Sequence, residues 1–212
     1  MSQFPVVHAV TDDDVLLTDD FLSRARELMA ALGPRGAIHL RARDVAPARL
    51  CELAGWLAGW ERDTRCWLVV NDRVDVAAAC GAGAVQLTAR SMTPADARRV
   101  LPGIRAGVSV HSADAAREAE EAGADWCVAG PAFATASHPG HAGGGAALIT
   151  AVVAATGLPV VAIGGITPAE VPPMLQAGAH GVAAVRGIWG SDDVAAAARR
   201  YLSQYDEYEG RS

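Results

Sequence analysis

Short apolar runs alternate along the chain with longer stretches in which Ala, Leu and Val recur among Arg, Asp and Glu. The runs are "FPVVHAVT", "AIHLR", "CWLVV", "AVQL", "RAGVSV", "DWCVAG", "PVVAIG" and "GVAAV". Each is short, rich in β-branched residues and bounded by turn formers, which predicts buried strands. Between them the spacing predicts helices near residues 20–32, 46–62, 73–81, 93–101, 112–123, 146–156, 167–177 and 192–204. Start signals agree. Ser112 precedes "ADAAREAEEAG", and Thr93-Pro94 and Thr167-Pro168 put proline in the first helical turn. The phrases "AAACGAGAVQL", "AEEAGADWCV" and "MLQAGAHGVAAV" each close a helix on Gly and step into a strand, so one αβ unit recurs.

Eight such units in 212 residues predict an α/β fold, a single-domain (β/α)8 TIM barrel over residues 1–212. A dinucleotide-binding sheet would need G-x-G-x-x-G after the first strand, and "TDDD" stands there instead. No shift of composition marks a second domain. The uncharged stretch "GPAFATASHPGHAGGG", residues 130–145, then falls after strand six. There it reads as a long loop at the mouth, able to close over a ligand, and not as a linker.

Composition sharpens this picture. Residues are 51% hydrophobic but only 5% aromatic, so the core must be Val, Ala, Leu and Ile, as parallel strands buried on both faces require. The net charge of −6 is spread without blocks, which argues against a nucleic-acid partner. All 18 basic residues are arginine, and the absence of lysine excludes Schiff-base chemistry and a P-loop. Cys51, Cys66, Cys80 and Cys127 lack metal-site spacing and read as buried thiols. No leader pattern opens the chain and no run reaches the roughly 18 apolar residues of a membrane span, so a cytoplasmic protein without a membrane partner is expected.

Polar residues gather where the strands end. Strand two offers His39, Arg41 and Arg43 on one side, strand three Asn71 and Asp72, strand four Gln86, and strand five Ser109 and His111. After strand six come Thr135, Ser137, His138 and His141; after seven, Gly164 and Gly165; after eight, Arg186 and Gly187. Glycines after strands seven and eight let backbone N–H groups approach a phosphate, and Arg186 adds charge. His138 and His141 form H-x-x-H on a Gly/Pro loop, which does not orient two ligands, so no metal site is read there. His138 suits general acid–base work, and His39 competes for that role from a more rigid strand. His8 reads as a hydrogen-bonded barrel-core histidine, and His180 as belonging to the far face. Trp56 and Trp60 read as helix–barrel packing or, if exposed, as the contact of a possible homodimer.

The chain resembles the thiamine-phosphate synthase/TenI superfamily of (β/α)8 barrels. The resemblance lies in "HAVTDD", "NDRVDVAAACGAGAVQL", "GVSVHS", "EAGADWCVAGPAFATASHPG", "PVVAIGGITP" and "GVAAVRGIWG", in family order over nearly the whole chain. It implies a phosphorylated thiazole as ligand and, for the synthase branch, a pyrimidine pyrophosphate with Mg²⁺. Asn71 and Asp72 match the synthase pattern, Asp72 at a Mg²⁺-binding position; Ser109, Thr135 and Ser137 match polar ligand positions. Departures follow: His39, Arg41 and Arg43 for Gln, Arg and Lys; Gln86 for a histidine; Ser91 for the second metal carboxylate; His138 for a loop lysine; Arg186 for a phosphate-binding serine. The histidine of the thiazole tautomerases aligns with Pro131.

The resemblance, with these departures, implies first a TenI-like thiazole tautomerase or regulator that requires no cofactor. The alternative is a thiamine-phosphate synthase that joins the two substrates with Mg²⁺ held at Asp72. A further alternative, of another class, is a non-catalytic phosphometabolite-binding protein.

Overall fold

The computed structural model describes residues 4–88, 90–135 and 143–210. The eight apolar runs form strands β1 (Val7–Val10), β2 (Gly36–Leu40), β3 (Trp67–Asn71), β4 (Ala84–Leu87), β5 (Arg105–Val110), β6 (Trp126–Ala129), β7 (Val160–Ile163) and β8 (Gly181–Ala184). Each pairs in parallel with the next, and β8 pairs with β1, which closes the barrel. The helices between them are α1 (Asp13–Leu16), α2 (Phe21–Leu32), α3 (Pro47–Thr64), α4 (Val74–Cys80), α5 (Pro94–Val100), α6 (Ala113–Glu121), α7 (Gly145–Val153), α8 (Val171–Gln176), α9 (Arg186–Trp189) and α10 (Val194–Glu209). Among the described residues no helix is long and apolar enough to cross a membrane.

The helix boundaries follow the caps. Thr93 accepts from the Asp96 N–H and Ser112 from the Ala115 N–H, so both ends of sequence signal and structure coincide. The segment expected as one helix over 167–177 instead opens with a 3₁₀ turn, Pro168–Glu170, and α8 starts at Val171. Pro172 and Pro173 carry no N–H, so an α-helix accommodates them only in its first turn. Two four-residue helices, α1 and α9, were too short to leave a periodic signal; they follow β1 and β8 directly.

Two apolar layers result. One joins the outward faces of the strands to the helices; the other fills the barrel with Val10, Ala37, Trp67, Val69, Ala84, Trp126, Val128, Val161 and Ala183. At the end opposite the strand C-termini, Phe4 closes the interior, with ring centroids 5.6 Å from Trp67 and from Trp126 and 5.1 Å from His180. His180 thus sits on the far face. The Arg105 guanidinium lies 3.4 Å from the Trp67 ring centroid and completes that floor.

Trp126 fits only because residue 107 lacks a side chain. A Cβ there would stand 2.1 Å from the Trp126 ring and 2.5 Å from Gln86 Oε1. The indole N–H donates to Gln86 Oε1 at 2.9 Å, and Gln86 Nε2 donates to Ser109 Oγ at 3.1 Å. Overpacking in such a site costs about 1–3 kcal/mol, and here a buried hydrogen bond is strained as well. Gly107→Ala should therefore lower stability by at least about 2 kcal/mol in urea unfolding. Unchanged stability would show that the barrel interior relaxes around the new methyl group.

Candidate active site

The segment after β1 builds the first side of the mouth. Thr11 is buried; its backbone N–H and hydroxyl both donate to the His39 carbonyl, the hydroxyl also lies 3.0 Å from the Arg41 carbonyl, and it accepts from the Arg41 N–H at 2.9 Å. Asp12 caps α1 by accepting from the Val15 N–H. The Asp13 carboxylate accepts from the backbone N–H groups of Arg43 and Asp44. Partial burial opposes ionisation of Asp13, but these N–H groups, with that of Val45 and the Arg41 charge, hold its carboxyl below the usual range. Residues 11–13 thereby fix the loop that carries Arg41 and Arg43.

Both guanidinium groups are left without a hydrogen bond or ion pair among the described residues. Burial, followed by repulsion from Arg43, lowers the Arg41 pKa; the Asp13, Asp12 and Asp72 charges act against this. Two cations thus share one side of the mouth with three carboxylates.

Asp72 follows β3 with φ of +58°, a left-handed conformation that side chains rarely adopt. The fold holds it there: its N–H donates to the Gln86 carbonyl at 2.9 Å, and Oδ1 accepts from the Thr88 N–H and hydroxyl, each at 3.0 Å. The Thr88 carbonyl in turn accepts from the Ser91 N–H at 2.9 Å, so Ser91 belongs to the same turn. One carboxylate oxygen and neutral hydroxyls make a thin cage for a metal by themselves. They do fit Mg²⁺, which is commonly held by one or two carboxylates together with water and substrate phosphates.

Deeper in the barrel His8 and His39 form a pair, with His8 Nδ1 2.8 Å from His39 Nε2 and His8 Nε2 3.1 Å from the Pro5 carbonyl. Burial depresses the His8 pKa to about 4, the Pro5 carbonyl opposing this and nearby His180 adding to it; burial, followed by repulsion from His8, drives that of His39 well below the usual range against a hydrogen bond with Asn71. His39 is 2% exposed. A buried, neutral ring with Nε2 already engaged offers no acid–base exchange with a ligand at the mouth. Gln86 is likewise buried, with both ends of its amide bonded to Trp126 and Ser109. Ser109 is half-buried beside it, and Asn71 ends β3 on the same side of the strand as Trp67 and Val69.

Across the mouth, the chain after β6 lies against the loop after β7. Ala132 N–H donates to the Ile163 carbonyl and Phe133 N–H to the Gly164 carbonyl. Gly164 and Gly165 have φ of +106° and +66°, and a Cβ at either would meet the β6 loop under 3 Å away. Tight loop contact therefore explains these glycines before any ligand does. Gly187 abuts the Tyr201 hydroxyl, which donates to the Ile166 carbonyl. Arg186 is exposed, and its guanidinium has no partner among the described residues. Thr135 is half-buried at the end of the described part of the loop; Ser137, His138 and His141 lie outside the described residues.

Sequence reasoning found the arginines and Asp72 but missed the roles of Thr11, Asp13 and Thr88. The acidic run directly after a buried strand was the available signal for the first two. Cys66 and Cys127 are buried free thiols and Cys51 and Cys80 are half-buried. Trp56, its ring centroid 6.2 Å from that of Trp60 and tilted against it, is 53% exposed.

The mouth of the barrel sets two arginines, without a partner among the described residues, beside a held carboxylate on the next strand, a combination whose chemistry suits anionic small molecules. The family described as Thiamine monophosphate synthase matches residues 7–188. A thiamine-phosphate synthase of Methanoculleus marisnigri is 39% identical over 194 residues, 88% of this chain and 92% of that protein. One from Chloroflexus aurantiacus is 35% identical over 201 residues, 92% of this chain and 93% of that protein. The solved thiamine phosphate pyrophosphorylase from Pyrococcus furiosus superposes with a TM-score of 0.83 at 31% identity, covering 96% of each chain. The chain belongs to the thiamine monophosphate synthase family. These relatives favour the synthase alternative over the tautomerase-like reading that the substitutions at Ser91 and His138 suggested.

The histidine pair makes stability depend on pH. The unfolded chain protonates its histidines near pH 6.5 while native His8 resists down to about pH 4, so acid favours unfolding. Stability from this group is complete above pH 6.5 and is lost as the pH falls from 6.5 towards 4. At pH 5 the loss from His8 alone should be about 2 kcal/mol. Urea midpoints at pH 7 and pH 5 measure it, and His8→Phe should make the decline shallower.

Proposed function

We propose that the protein is a thiamine-phosphate synthase that condenses a pyrimidine pyrophosphate with a thiazole phosphate and releases pyrophosphate. The observation that carries this reading is the juxtaposition of Arg41 and Arg43, without partners among the described residues, with Asp72 in a left-handed conformation held by Thr88. The named activity of the relatives supports it. Arg41 and Arg43 would grip the pyrophosphate, because guanidinium groups match phosphate oxygens two at a time. Asp72, with Ser91 alongside, would hold Mg²⁺, which supplies charge neutralisation to the departing pyrophosphate.

The rest of the mouth serves the second substrate. Gly165 and Gly187 are exposed, as is Arg186, whose guanidinium has no partner among the described residues, a combination suited to a phosphate. Ser109 and Thr135, both half-buried, complete the proposed pocket. Asn71 lies between the two halves. No lysine is present, so all positive charge offered to three phosphoryl groups is arginine.

Two measurements decide this. Purified protein given both substrates and Mg²⁺ should form thiamine phosphate, EDTA should abolish turnover, and Asp72→Asn should reduce kcat by about a hundredfold or more. Absence of product, with proton exchange in a thiazole phosphate that persists in EDTA, would restore the tautomerase reading. Separately, Arg186→Ala should raise KM for the thiazole phosphate roughly ten- to a hundredfold while hardly altering KM for the pyrimidine substrate. Equal changes in both would place Arg186 elsewhere in the chemistry.

A further inference from the structure

The buried histidine pair has a direction, and that direction reaches the mouth. Pro5 contributes a carbonyl, which accepts only, so His8 Nε2 must carry the proton of the 3.1 Å contact. A neutral His8 then has a bare Nδ1, and the 2.8 Å contact with His39 requires the proton on His39 Nε2. His39 Nδ1 is consequently a lone pair. Asn71, the last residue of β3, is the other side chain that hydrogen-bonds the His39 ring, and with Nε2 engaged by His8 only Nδ1 is left to meet it. Asn71 is 9% exposed, and its Oδ1 is one of the buried polar atoms without a partner among the described residues. Facing His39, that oxygen stays unsatisfied, because only a second proton on a buried ring could reach it. An amide turned with Nδ2 towards His39 closes the bond and sends Oδ1 to the mouth.

We propose that His8 and His39 are positioning residues: a one-way chain from the Pro5 carbonyl through two neutral imidazoles fixes the Asn71 amide so that Oδ1 meets a hydrogen-bond donor of the ligand. Phosphate oxygens accept only and do not suit this atom. An amino group on the pyrimidine does. The chain therefore selects for the amine-bearing end of that substrate, and it explains why a pair of histidines occupies the barrel interior where apolar side chains would pack without polar bookkeeping. The naming of the ligand rests on the synthase reading; the direction of the chain does not.

Histidine-selective ¹⁵N labelling of the full-length protein tests the direction. Long-range proton–nitrogen spectra at neutral pH should show both rings with Nε2 protonated and Nδ1 bare, the signals assigned by their loss in His8→Phe and His39→Gln. A proton on Nδ1 of either ring overturns the proposal, whatever reaction the protein catalyses. Binding tests the consequence, with an aminopyrimidine lacking phosphate and with inorganic pyrophosphate plus Mg²⁺ as probes. His8→Phe removes the anchor, leaves His39 free to change tautomer, and should weaken the aminopyrimidine roughly three- to tenfold while leaving pyrophosphate unchanged. Equal weakening of both probes, or of neither, overturns it. If His8→Phe fails to fold, His39→Leu, which cannot orient Asn71, gives the same comparison, and the wild-type tautomers still decide the direction.

Discussion

Eight parallel strands closed on themselves leave an interior that side chains must fill, and every polar group placed there has to find its partner inside. That constraint orders the whole molecule. Trp126 fills the volume that Gly107 leaves, its N–H takes the Gln86 oxygen, and the Gln86 nitrogen reaches Ser109. On the opposite wall, His8 and His39 satisfy each other and the Pro5 carbonyl. Both chains run from the closed end towards the mouth, so the packing of the floor bears on which atoms the mouth presents. Ser109 and Asn71 are where those two chains emerge.

The barrel was legible because its signals are local and repeated. Eight apolar runs, proline in first turns and glycine at helix ends each report a boundary within a few residues. The short helices α1 and α9 were not legible, since four residues carry no period. Among the site residues, position at a strand end was readable but depth was not. His39, Arg41 and Arg43 alternate correctly on one side of β2 and its extension, yet His39 is sealed in the interior while Arg43 is exposed. Four residues along the chain separate a buried hydrogen-bonded ring from a solvated cation. Gln86 misleads in the same way: it lies one residue from the end of β4, but Trp126 reaches it from two strands away.

The glycines illustrate a different limit. Gly164 and Gly165 suggest a phosphate cradle by their place in the chain, and their positive φ values and loop contacts supply a sufficient reason of their own. Sequence cannot separate these reasons, because close backbone approach serves a neighbouring loop and a ligand alike. Arg186 is the discriminating feature. A guanidinium exposed at the same mouth, with no partner among the described residues, has no structural task that loop packing would assign to it.

Arginine alone supplies the positive charge, and this explains why the segment after β1 is so heavily bonded. A lysine reaches a phosphate as a point charge on a flexible stem, and small errors in its backbone matter little. An arginine fork matches phosphate oxygens only in a defined plane, so the loop that carries it has to be held. Thr11 fixes the backbone of Arg41 on both its N–H and its carbonyl, and Asp13 holds the N–H groups of Arg43 and Asp44. Asp13 thereby bonds the backbone and forms no ion pair with either guanidinium, and neither cation has a hydrogen-bonded partner among the described residues. The same logic applies across the strand pair, where Thr88 ties one oxygen of Asp72 and keeps the carboxylate from collapsing onto Arg41. Neutral hydroxyls and peptide groups hold these opposite charges apart, the arrangement that the proposed pyrophosphate and its Mg²⁺ would require of this mouth.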